Sequence, residues 1–207
     1  MTTWSWTMKC IINNAISLVR PYLPVHFGKL GDRSRVPFPR TIIGGRRIFI
    51  GDRLSIGEGA YIHAIETYAG TGFTPEIVIG NDVYIGPKCY IAAAQRISIE
   101  DGCVLSEGVY VSDVAHGMDP EMGLIMKQQL IVKGRVSIGA NCFIGLRAAI
   151  MPGVELGHNC IVGAGSVVTR SYPAFSVLVG NPARLVKRYD PQTRKWARIA
   201  EDGIRVK

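Results

Sequence analysis

Residues 132–170 read, in sixes, VKGRVS, IGANCF, IGLRAA, IMPGVE, LGHNCI, VGAGSV and then VTR. Every block opens on a branched aliphatic: Val132, Ile138, Ile144, Ile150, Leu156, Val162 and Val168. An amphipathic helix repeats near 3.6 residues and a half-buried strand at 2, so neither alone gives this spacing. Short strands joined by tight turns and wound three to a coil do give it. Toward the N-terminus the same frame takes in Ile50, Ile56 and Ile62, then Ile79, Ile85 and Ile91, then Ile99, Leu105 and Val111. All sixteen opening positions are Ile, Leu or Val. Those types supply 54 of 207 residues, so chance would fill about four of the sixteen. The pattern predicts an all-β solenoid.

The other positions in each block carry their own reasons. The second residue is Gly in eight of the sixteen blocks, which points to corners with unusual dihedral angles. The fifth is small or slim, and Cys89, Cys103, Cys142 and Cys160 all occupy it. With Cys10 the cysteines number five, without any CxxC pair, so they read as reduced thiols of a cytoplasmic protein. Grouped in threes, the blocks predict about six coils, starting at 50, 79, 99, 132, 150 and 168. Each break in the period then falls after the third block of a coil, with loops near 66–76 and 117–130 and a short excess before Ile99. Loops gathered on one edge of a rigid repeat are where function concentrates.

The formal charge is 24 basic minus 16 acidic residues, or +8, which favours an anionic partner. No run of five basic residues and no zinc-type cysteine spacing is present, so nucleic acid is not expected. The apolar stretch 10–19 is interrupted by Asn13 and Asn14 and is too short to span a bilayer, so no stable membrane anchor is expected. Residues 1–41 read as an N-terminal capping segment, 42–183 as the solenoid domain, and 184–207 as a basic, helical tail.

The blocks IGANCFIG and GAGSVV, followed by Gly180-Asn181-Pro182-Ala183, resemble the hexapeptide-repeat acyltransferases. The resemblance runs from about Ile42 to Arg188. It implies a left-handed parallel β-helix, a homotrimer, acetyl-CoA as co-substrate and a hydroxyl-bearing acceptor such as a sugar in surface-polysaccharide synthesis. It also implies a catalytic histidine just before an extended loop in the middle of the solenoid, the position of His116. Neutral imidazole, with an ordinary pKa of about 6.5, can take a hydroxyl proton as general base. Asp113, on the rung, or Asp119, on the loop, is near enough in sequence to orient the ring, and Asp113 is preferred. Similarity to galactoside and maltose acetyltransferases implies cofactor-binding positions at Phe143, Leu146, Ala164, Thr169, Arg184 and Lys187. Leu146 and Ala164, eighteen residues apart, should stack on the edge that carries His116.

Two departures and two competing readings accompany this. Gly86 stands where sugar-binding members carry an Asn, and 1–39 shows no match to their helical acceptor-binding segment. Other acetyl acceptors (an amino sugar, serine, an antibiotic) share the scaffold. A zinc site of the gamma-class carbonic anhydrase type needs a second histidine five residues after His116, but that residue is Glu121, so no metal is expected. A non-catalytic assembly surface would neither bind coenzyme A nor hydrolyse acetyl-CoA.

Overall fold

The computed structural model describes residues 25–37 and 40–199 and the backbone of 205–206. Of the capping segment expected over residues 1–41, residues 1–24 and 38–39 lie outside the described part. From Lys29 onward the chain winds as a left-handed parallel β-helix. Each coil gives one short strand to each of three sheets. The first sheet stacks Lys29–Leu30, Ile48–Ile50, Glu76–Ile79, Arg96–Ile99, Val136–Ile138 and Glu155–Leu156. The second stacks Ser55–Ile56, Tyr84–Ile85, Val104–Leu105, Phe143–Ile144, Ile161–Val162 and Ser176–Gly180. The third stacks Thr41–Ile43, Tyr61–Ala64, Tyr90–Ala93, Tyr110–Ser112, Ala149–Ile150 and Val167–Val168. Pairing begins at Lys29–Leu30, in the same coil as Thr41–Ile43 and ahead of the start expected at residue 42.

The opening aliphatics hold this winding in register. Ile50, Ile79, Ile99, Ile138 and Leu156 are direct neighbours along the first sheet and are buried. Each such side chain contributes about 1.5–3 kcal/mol on leaving water. A one-residue slip would turn the whole row outward. The fifth-position residues fill the corners between these rows. The four described cysteines do more than fill space, because each thiol donates to a carbonyl one coil further on. Cys89 reaches Ser106 at 3.1 Å, Cys103 reaches Gly139 at 3.1 Å, Cys142 reaches Gly157 at 3.2 Å and Cys160 reaches Pro173 at 3.3 Å. Burial pushes the Cys89 thiol up to about 11.

The glycines serve a different purpose from the one the sequence suggested. Second-position Gly145 lies outside the positive-φ region, but a Cβ there would sit 2.7 Å from the backbone N of Ala164 in the next coil. Close approach between coils, not dihedral freedom, excludes a side chain. Left-handed backbone falls instead on the fourth position, at Arg53, Asp82, Lys88, Asn141, Arg147 and Asn159, with φ between 54° and 57°.

Two further expectations are corrected. Val132 opens no coil: it is 36% exposed and pairs with Val114 in an antiparallel hairpin. The frame resumes at Ile138, so the last coils start at Ile138 and Leu156 rather than at 132, 150 and 168. The basic tail is not helical. Ser176–Gly180 turns back into Ala183–Asp190, which pairs antiparallel with Lys195–Ile199 and extends the second sheet. The unpaired edge of that last parallel strand recruits the chain into the ladder.

Candidate active site

Both long insertions leave the solenoid at the corner between the third sheet and the first. Residues 65–75 hold the small hairpin of Thr67–Tyr68 and Thr71–Gly72. Residues 113–135 open with Val114–His116, which pairs antiparallel with Leu130–Val132 so that His116 faces Leu130. A satellite core of Ile65, Ala92 and Ala94, packed by Tyr68, Phe73, Val114 and Leu130, joins the two insertions to the solenoid. The intervening loop is organised by one amide. Buried Gln128 donates from Nε2 to the carbonyls of Asp119 (2.7 Å) and Gly123 (3.1 Å) and accepts at Oε1 from the Asp119 N–H (3.0 Å).

His116 is exposed at this corner. Its Nδ1 lies 3.3 Å from the Tyr68 hydroxyl, and that hydroxyl donates to the Met126 carbonyl at 3.1 Å. The two rings meet edge-on, 5.6 Å between centroids. Nε2 makes no hydrogen bond among the described residues. The imidazole is therefore held by one nitrogen and offers the other, the arrangement a general base needs.

Asp113 does not orient the ring. Its side chain is fully buried and turns toward the coil below, where Oδ1 accepts from the Ala94 N–H (2.8 Å) and Oδ2 from those of Gln95 (2.9 Å) and Arg96 (2.7 Å). It closes a corner whose amides would otherwise lack partners. Burial raises its pKa above the usual carboxylate value, against the pull of those three amides. Asp119 is committed as well, accepting from the Glu121 N–H at 2.8 Å. Sequence reasoning missed Tyr68, 48 residues from its partner. The only available signal was that both insertions share one corner.

The positions suggested for acetyl-CoA are exposed but dispersed. Phe143 projects from the second sheet, and Lys187 extends the same face through its pairing with Val177. Leu146 and Ala164 do stack, linked by the Gly165 N–H to the Leu146 carbonyl at 2.8 Å. They occupy the corner between the second and third sheets, however, not the one that carries His116. The expectation of a shared edge rested on the Val132 frame and fails with it. Thr169, just past Val168, lies toward the His116 corner, while Arg184 folds over its own turn and donates to the Ala183 carbonyl at 3.2 Å. Tyr84, Phe143, Leu146 and Ile161 form an exposed apolar stripe. Among the described residues no group of three or more His, Cys, Asp or Glu is placed to hold a metal ion, and no helix is long and apolar enough to cross a membrane.

Comparison with known proteins agrees with this architecture. The hexapeptide repeat of succinyl-transferase matches residues 76–113 and 135–170. A putative acetyltransferase of Staphylococcus aureus is 44% identical over 57 residues, 28% of this chain and 29% of that protein. A putative lipopolysaccharide biosynthesis O-acetyl transferase of Escherichia coli is 38% identical over 61 residues, 30% of this chain and 31% of that protein. The chain thus spans under a third of the length of these curated relatives. In structure it is similar to the N-acyltransferase AntD of Bacillus cereus, solved as a mutant with dTDP and coenzyme A, at 20% identity and a TM-score of 0.68 over 81% of this chain and 87% of that one. By its repeat over residues 76–113 and 135–170 and by its winding, the chain resembles the hexapeptide-repeat proteins of left-handed β-helix fold.

Proposed function

We propose that this chain transfers an acetyl group from acetyl-CoA to a hydroxyl of a carbohydrate acceptor, with His116 as general base. The observation that carries the reading is the imidazole at the insertion corner, fixed through Nδ1 and open at Nε2. The local likeness to an O-acetyl transferase of lipopolysaccharide biosynthesis supports the acceptor class. In the reaction, Nε2 takes the acceptor proton as the hydroxyl oxygen forms a bond to the thioester carbonyl carbon. The tetrahedral oxyanion then collapses, the C–S bond breaks, and the leaving thiolate recovers the proton from Nε2.

The dispersed cofactor positions fit a homotrimer. His116 and the Leu146–Ala164 edge belong to different corners of one prism, so a site using both forms between neighbouring copies. The exposed apolar stripe of Tyr84, Phe143 and Ile161 would be covered there. In this reading Phe143, Leu146, Ala164 and Thr169 line the pantetheine arm, and Arg184 and Lys187 meet its phosphates. The buried free thiols Cys89, Cys103, Cys142 and Cys160 fit a reducing compartment such as the cytoplasm.

The test is transfer of labelled acetyl from acetyl-CoA to pools of nucleotide sugars, oligosaccharides and amino acids, with light scattering of the same sample. Label on a sugar hydroxyl and a trimer mass support the reading. Label on amines alone, or on nothing, refutes it.

A further inference from the structure

We infer that Tyr68 is a positioning residue that sets which nitrogen of His116 carries the proton. The inference rests on the reading of His116 as base and extends it to the group behind the ring. A tyrosine hydroxyl has one proton, and the Met126 carbonyl can only accept, so the 3.1 Å bond between them commits that proton. The 3.3 Å approach of the same oxygen to Nδ1 is then a hydrogen bond only if Nδ1 donates. A neutral imidazole has one N–H, so Nε2 keeps its lone pair. That is the tautomer a base acting through Nε2 requires.

Tyr68 is itself held in place. Its hairpin turns through Ala69 and Gly70, with φ of 46° and 79°, and its ring packs on the satellite core of Ile65, Ala92 and Ala94. Met126 closes the relay from the other insertion, at the end of the loop that Gln128 fastens. The shorter insertion thus prepares a residue of the longer one. This accounts for two loops, far apart in sequence, leaving the solenoid at the same corner.

The test combines nitrogen NMR with kinetics on the full chain. With the histidine ring nitrogens labelled, at a pH where imidazole is neutral, His116 should show Nδ1 protonated and Nε2 bare. Tyr68→Phe keeps the ring packing and removes the hydroxyl. It should move the spectrum toward the other tautomer and lower kcat roughly three- to tenfold, the worth of one hydrogen bond, with KM for acetyl-CoA unchanged. A wild-type spectrum with Nε2 protonated overturns the inference without recourse to any variant. So does a Tyr68→Phe protein whose spectrum and kcat both match wild type. Full activity in His116→Ala would instead remove the base, and would leave the tautomer assignment standing.

Discussion

Replacing Asp113 with Asn separates a scaffold role from a catalytic one. The carboxylate takes three backbone N–H groups at 2.7–2.9 Å, one on Oδ1 and two on Oδ2. An asparagine can keep its oxygen on two of them, but its NH2 then opposes the third, and both remaining bonds lose their charge. Hydrogen bonds to charged groups contribute about 1.5–3 kcal/mol each, but burying the charge costs more than they return, which is why the pKa stands raised. The net loss should be about 1–3 kcal/mol, the cost of the one buried N–H left without an acceptor, or about 2–12 °C in melting temperature for a chain of this size. Burial holds the folded pKa above the unfolded one, so the folded state binds this proton more readily than the unfolded chain. The contribution of Asp113 is then full on the acid side and is lost as pH rises through the folded pKa. The stability advantage of wild type over Asp113→Asn should therefore shrink between acid and neutral pH. Urea melts at several pH values, with kcat measured at a temperature where both proteins are folded, read both effects. A variant of unchanged stability whose kcat falls a hundredfold would refute the scaffold assignment and restore Asp113 as the partner of His116.

The same geometry sets other outcomes. His116→Ala should lower turnover by roughly two to four orders of magnitude, the usual worth of a general base, with little change in acetyl-CoA affinity; retention of a tenth of wild-type activity in a steady-state assay argues against the mechanism. Gly145→Ala places a Cβ 2.7 Å from the backbone of the next coil and should cost about 1–3 kcal/mol in chemical denaturation. Gly72→Ala meets nothing within 4 Å and should stay within about 0.5 kcal/mol of wild type. Cys89, Cys103, Cys142 and Cys160 should react slowly with a bulky thiol reagent until urea unfolds the chain, since all four are buried; mass spectrometry showing fast native labelling of all four would contradict the packing.

The solenoid was legible because its period leaves little choice: only an inward row every sixth residue makes Ile79, Ile85 and Ile91 all disappear into the core. Val132 shows the limit of that reading. It is aliphatic and six residues before Ile138, yet a hairpin strand satisfies its backbone, and periodicity does not distinguish the two environments. His116 could be picked out because the period stops beside it. Its partner could not, since Tyr68 arrives through a separate insertion and a turn. Asp113 misled for a related reason: three residues from His116 in sequence, its side chain points toward a different coil. The strands of the tail were missed because their cause is not local. Residues 183–190 pair because Ser176–Gly180 presents an open row of N–H and C=O groups.

That reversal at Gly180 has a consequence for how copies of the chain meet. The end of a parallel solenoid is a template, and another molecule could continue the winding into a fibre. Here the first sheet ends in an isolated bridge at Tyr172, and only the second sheet runs on. Its continuation changes direction, so a molecule docking in the parallel sense finds strands running the wrong way. The reversed strands also carry Lys187, Arg188, Lys195 and Arg198, so two such ends repel each other. The terminal hairpin closes this end of the solenoid to parallel extension.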